Sequence, residues 1–159
     1  MLHAAILVLL LAFALAGADG ASAADWAVKS LPRTDGPGVR CVLESGRLSI
    51  PDGYQKTTVY ITVAPKSVAI TSVSPLDGGF SDIGLEVDGE ELVKLDKLGG
   101  DKTALFDSKY DRLVARFKAG TSVRAQLRFW PTWPATGTHS AEFTLIGFTK
   151  AFGELAACR

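Results

Sequence analysis

The chain has 159 residues, with 17 basic and 17 acidic side chains, two cysteines and two histidines. The residue types that run most nucleophilic, metal and redox sites are nearly absent, and no residue pattern names a reaction. The even charge balance excludes a global attraction to nucleic acid or to an anionic membrane surface.

Residues 1–23 read as a secretory signal. A short n-region with His3 precedes an aliphatic run, and Ala21-Ser22-Ala23 supplies a small-residue cleavage motif. Cleavage is expected after Ala23, with Ala24 as second choice. The apolar run over residues 4–17 is shorter than the roughly 20 residues a membrane-spanning helix needs. An uncleaved anchor is the alternative, and the small-residue motif argues against it. The mature chain, residues 24–159, is then a single extracytoplasmic domain with no integral membrane segment, located in the periplasm or secreted. Losing Asp19 with the signal leaves 17 basic against 16 acidic residues.

Cys41 and Cys158 remain. An even count in an exported protein predicts a disulfide that clips the C-terminus to the first strand. Two free thiols or an intermolecular bridge are the alternatives. The wide separation does not resemble a redox Cys-x-x-Cys pair.

Along the chain, a short first strand is expected at residues 26–29, ahead of the turn cluster Leu31-Pro32 and Asp35-Gly36-Pro37-Gly38. Residues 39–44 carry Cys41 and Leu43 on one side, and residues 47–50 follow before Pro51-Asp52-Gly53 breaks the chain. Residues 57–63 are nearly all β-branched or aromatic, with Val59, Ile61 and Val63 at period two. A second strand over residues 67–73 places Val68, Ile70 and either Ser72 or Val73 on one face. Residues 76–81 read as loop. Asp88-Gly89 suits a two-residue type I′ turn, in a register that sets Val87 against Glu90 and Glu86 against Glu91.

The period then changes. Tyr110, Leu113, Val114 and Phe117 fall at helical spacing, with Ser108 and Asp111 at capping-box spacing and Gly120 to close the C-terminus. Residues 121–129 alternate again, with Val123, Ala125, Leu127 and Phe129 opposite Ser122, Arg124, Gln126 and Arg128. The prolines of Trp130-Pro131-Thr132-Trp133-Pro134 exclude a central strand. Ala141, Phe143 and Leu145 alternate, and Phe148, Ala151, Phe152 and Leu155 return to helical spacing. The fold expected is α+β, mostly antiparallel β, built as a sandwich or half-barrel with two short helices in the C-terminal half.

Few groupings offer chemistry. His139 beside Ser140 is expected as an exposed edge histidine, because neighbours in a strand point to opposite faces. No zinc site is expected from one histidine and scattered carboxylates. Asp82, Glu86, Asp88, Glu90 and Glu91 fit no calcium-loop spacing and read as a solvated hairpin. Arg112 and Arg116 on the helix, with Arg124 and Arg128 on the next strand, form a candidate basic patch for a carboxylate or phosphate partner if the two elements pack together. Trp130 and Trp133 in a proline-bounded turn are candidate partner contacts, or else a lid folded back on the sheet edge.

Asp25-Trp26-Ala27-Val28, Val39-Arg40-Cys41-Val42-Leu43 and the run Phe143-Thr144-Leu145-Ile146-Gly147-Phe148-Thr149-Lys150-Ala151-Phe152 resemble the invasion-associated locus B family. Members often carry a cysteine soon after the tryptophan motif, where this chain has Ser30, and further cysteines mid-chain that are missing here. The resemblance implies a bacterial, exported, disulfide-bearing protein associated with entry into host cells, and it carries over no catalytic residue.

These readings converge on a non-catalytic exported binding protein that contacts a protein or envelope component, with no metal, no cofactor and no nucleic-acid partner. The alternatives are a small-ligand or lipid carrier using the interior of a half-barrel, and a secreted hydrolase using two convergent carboxylates.

Overall fold

The structure is a computed structural model that describes residues 26–33, 36–131 and 137–158. The signal segment and Trp133 lie outside the described residues. Two antiparallel sheets carry the fold. The larger has seven strands: β1 (Ala27–Pro32), β2 (Val39–Glu44), β3 (Leu48–Pro51), β4 (Lys56–Ala64), β5 (Ser67–Ser72), β8 (Lys97–Leu98) and β9 (Thr103–Leu105). Its order is β1-β2-β4-β5-β9-β8, with β3 on the remaining length of the β4 edge. The smaller has four strands in the order β11-β10-β6-β7, from β6 (Gly84–Val87), β7 (Val93–Lys94), β10 (Ser122–Leu127) and β11 (His139–Thr144). Helices α1 (Tyr110–Ala119) and α2 (Phe148–Ala157) complete it.

The alternation read from the sequence is the alternation of burial. Val59, Ile61 and Val63 of β4 and Val123, Ala125 and Leu127 of β10 are all fully buried. Ser72, rather than Val73, continues the inner face of β5, and Val73 is exposed. The inner faces of both sheets and the apolar stripes of both helices share one core. An aromatic knot ties its corner: the Phe148 ring stands edge-on to Trp26 at 4.9 Å and to Phe117 at 5.3 Å. Trp26 Nε1 donates to the Thr144 carbonyl at 2.8 Å, so the start of the described chain is bonded to the end of β11.

Strands β2 and β3 share one edge of β4, and Ser45 bridges the break between them. Its N–H donates to the Ile61 carbonyl at 2.9 Å, and its Oγ accepts the Ile61 N–H at 2.8 Å. Backbone groups that would otherwise be buried without partners are thereby satisfied.

Several local expectations need correction. The first strand runs through Pro32, which pairs with Val39; β1 is a sheet edge, where a missing N–H breaks no ladder. Strands β8 and β9, within residues 97–105, had no sequence signature of their own, and neighbours fix such short segments. In the Asp88-Gly89 hairpin the Glu90 N–H donates to the Val87 carbonyl at 2.9 Å, and both turn residues have positive φ. The ladder beyond is shifted by one residue, pairing Leu85 with Val93 and Gly84 with Lys94. That shift puts two buried side chains opposite each other. It also sends Glu86 toward Arg124 while Glu90 and Glu91 reach α1, so like charges do not meet.

Ser108 makes no side-chain cap. A single 3-10 turn, Asp107–Lys109, leads into α1, and Asp96 from outside the helix accepts the Ser108 N–H at 2.8 Å and its hydroxyl at 2.6 Å. Gly120 does end α1, but with extended backbone rather than a left-handed turn. Its value is space: a Cβ there would lie 2.6 Å from Val87 Cγ1.

Candidate functional site

Cys41 on β2 and Cys158 after α2 form a disulfide with their Cα atoms 6.1 Å apart. The pairing is the one read from the sequence, but it fastens the C-terminal end of α2 to the second strand of the larger sheet rather than to the first, because β1 ends at Pro32, ahead of Cys41.

The four arginines singled out in the sequence each face a carboxylate. Arg112 pairs with Glu91 and Arg116 with Glu90, each at 3.0 Å, which joins α1 to the β6–β7 hairpin. Arg124 lies between Glu86 at 3.3 Å and Glu142 at 3.4 Å, across the outer face of the smaller sheet. Arg128 grips Asp82 through two nitrogens. Thr138 adds a 2.6 Å bond to the same carboxylate, and Arg128 chiefly holds the Asp82 carboxyl down at about 2. A carboxyl so acidic is a poor proton donor near neutrality.

Asp88 accepts from the N–H groups of Ser122 and Thr121, which hold its carboxyl below the ordinary range. The acidic residues of the hairpin therefore face separate cations or backbone donors, and among the described residues the partners of Asp82 and Glu86 are Arg128, Thr138, Arg124 and Gln126. No group of metal-ligating side chains forms among the described residues. His139 is half-buried rather than exposed, its ring 5.5 Å from that of Phe129, because it stands directly opposite buried Leu127 and so shares that residue's inward face of the sheet. Trp130 is 63% exposed, and its N–H is bonded to the Pro75 carbonyl at 2.9 Å.

A buried polar knot lies at the β3–β4 turn. Asp52 accepts the Tyr54 N–H at 2.8 Å, the Gln55 N–H at 2.7 Å and the Ser74 hydroxyl at 2.6 Å. Burial is the largest influence on this carboxyl and works to raise its pKa. Its hydrogen bonds, led by Ser74, together outweigh burial and hold it below the usual value. The knot stabilises a turn.

The sequence reading missed one concave surface. The outer face of the seven-stranded sheet is concave, with a trough of about 370 Å³ crossing β1, β2, β4, β5 and β9. Two smaller clefts, of about 150 and 110 Å³, lie beside α2 and at Gly120. Val42 and Ala69 face away from the core, since Leu43 and Ile70 beside them face into it, yet only 4% and 8% of their surfaces are exposed. They are the floor of the trough.

One wall is prepared by a stack: the Arg47 guanidinium lies 4.2 Å from the centre of the Tyr60 ring and 3.0 Å from Glu44. A cation on an aromatic face, braced by a carboxylate, holds the wall in one geometry. Hydroxyls of Thr62, Thr71 and Thr103 line the rest of that side. Arg40, at the opposite end, is exposed and has no carboxylate partner among the described residues.

No protein-family model, curated protein or solved structure matches this chain.

A sequence signal for the trough did exist. Val42-Leu43 and Val68-Ala69-Ile70 interrupt strict alternation with consecutive apolar residues, the pattern of strands covered on both faces. Helices cover the second face in many folds. Here the cover is the trough's own walls.

Proposed function

We propose that this chain is an exported, non-catalytic binding protein of the bacterial envelope, of the invasion-associated locus B type, that engages an envelope component through the trough on its larger sheet. The observation that carries this reading is the concave outer face itself. An apolar floor, an Arg47–Tyr60 wall and Arg40, which has no carboxylate partner among the described residues, together give contact area, shape and one uncompensated charge. The signal-like segment and the Cys41–Cys158 bond support an oxidising compartment, the periplasm or the exterior. The dispersal of the carboxylates among cations and backbone donors supports binding over acid–base chemistry.

The test is site-specific photo-crosslinking in cells. A crosslinking residue at Thr62, inside the trough, is expected to capture an envelope component that the same residue at exposed Lys150 on α2 does not. Equal or absent capture at both positions removes the trough as the binding surface. N-terminal sequencing of the cell-derived protein checks the setting, with Ala24 or Asp25 expected first.

A ligand carrier is the second reading, favoured by a trough volume within the roughly 300–1,000 Å³ of small-molecule sites. The space between the sheets is filled by the core, so a carried ligand would occupy the outer trough. Solvent extraction of purified protein followed by mass spectrometry separates a carrier, which brings its ligand along, from a docking module.

A further inference from the structure

We infer that the trough holds a single-chain anionic amphiphile, with its aliphatic chain laid across the strands and its head on Arg40. The inference rests on the trough being the binding surface and names the ligand's chemistry. Leu31, Val42, Ala64, Ala69 and Leu105 come from five neighbouring strands, β1, β2, β4, β5 and β9, and all line the trough. Four steps between strands, at about 4.8 Å each, make an apolar track of about 19 Å. A track of that length matches an extended hydrocarbon chain better than a compact ring system.

Cations mark both ends. Arg40 is the cross-strand partner of Leu31, and Lys97 is the cross-strand partner of Leu105. Partners directly opposite share one face of a sheet, so each cation stands beside the aliphatic side chain that ends the track. Neither has a carboxylate partner among the described residues, whereas Arg47, Arg112, Arg116, Arg124 and Arg128 all do. Glu44 is the acidic residue in the trough lining, and Arg47 already neutralises it. The trough therefore presents net positive charge around an apolar floor. A guanidinium free on an open face meets a carboxylate or phosphate through paired N–H donors, and Lys97 offers a point charge at the far end.

The head could be a fatty-acid carboxylate or a lipid phosphate, which share the required chemistry. Calorimetric titration of the disulfide-bonded mature chain with decanoate, decyl phosphate and decyltrimethylammonium distinguishes them. Both anions are expected to bind and the cation is not; the tighter of the two anions names the source. Arg40→Gln is expected to weaken the anions by about ten-fold or more, the loss of a charge-assisted contact. Thr62→Trp, which fills the trough from its outer face, is expected to abolish binding while thermal unfolding stays near that of the parent. Equal binding of the cationic amphiphile, or anion binding that survives both substitutions, overturns the inference. If neither anion binds while crosslinking at Thr62 still captures an envelope component, the ligand class falls and the binding surface stands. Failure of both experiments removes both.

Discussion

Arg128 holds both carboxylate oxygens of Asp82, with Nε 2.9 Å from each and a second nitrogen 2.8 Å from Oδ2. Asp82 precedes β6, Arg128 follows β10, and Thr138, bonded to the same carboxylate, precedes β11. One side chain thus gathers three consecutive strands of the smaller sheet at the same end.

This pair has a definite pH signature. The Asp82 carboxyl lies at about 2 in the folded chain against an ordinary 3.8. A depressed folded pKa adds stability that is complete above the unfolded value and is lost as pH falls from about 4 through about 2. With partial exposure screening the pair, Asp82→Asn is expected to cost about 1 kcal/mol at neutral pH and almost nothing near pH 1.5. Urea unfolding of both proteins across that range measures the difference. A gap that stays constant into strong acid would contradict the assignment.

Asp52 is buried with three donors, so its removal strands groups as well as deleting bonds. Asp52→Ala is expected to destabilise by about 2–4 kcal/mol, since the Tyr54 and Gln55 N–H groups and the Ser74 hydroxyl all lose their acceptor. Asp52→Asn keeps one acceptor oxygen and is expected to cost less than half as much. Chemical denaturation of the two variants ranks them, and the reverse order would be inconsistent with the knot described.

For the disulfide, the separation of 117 residues sets the scale. Closing a loop of that length limits the unfolded chain and corresponds to about 4–5 kcal/mol as an upper figure. Cys41→Ser with Cys158→Ser is expected to lower the melting temperature by 10 °C or more, roughly what several kcal/mol implies for a domain of this size. Non-reducing peptide mapping should recover the two cysteines in one crosslinked fragment; separate free-thiol peptides would refute the pairing.

Gly120→Ala tests a packing claim against a backbone one. The backbone at Gly120 accepts any residue, but an added Cβ meets Val87 Cγ1 at 2.6 Å and the Arg116 carbonyl at 3.0 Å. The expected cost is about 1–3 kcal/mol. Val87→Ala removes the closer obstacle, so the double variant should be less destabilised than the sum of the single ones. Strict additivity would mean that Val87 is not the obstacle.

Long periodic segments were legible because burial repeats with the geometry of the element. Thus the strand around Val59, Ile61 and Val63, the helix around Leu113, Val114 and Phe117, and the final helix through Phe148 and Leu155 are all where the spacing put them. The pairing of Cys41 with Cys158 followed from an even count. The short strands around Lys97 and Thr103 were not legible, because two or three residues carry no period. The hairpin register was not legible either, since arginines distant in sequence decide where Glu86, Glu90 and Glu91 go. Arg112, Arg116, Arg124 and Arg128 were visible as cations, but their carboxylate partners lie 18 to 46 residues away.

By itself, the sequence determined which residues alternate, which repeat at helical spacing and which two sulfurs were free to join, because these depend on neighbours within a few positions. Only the tertiary structure decided that the larger sheet is concave outward, that Val42 and Ala69 form a floor, and that Arg40 has no carboxylate partner among the described residues while five other arginines find carboxylates. Curvature and charge pairing are sums over strands far apart in the chain, and no local window of residues contains them.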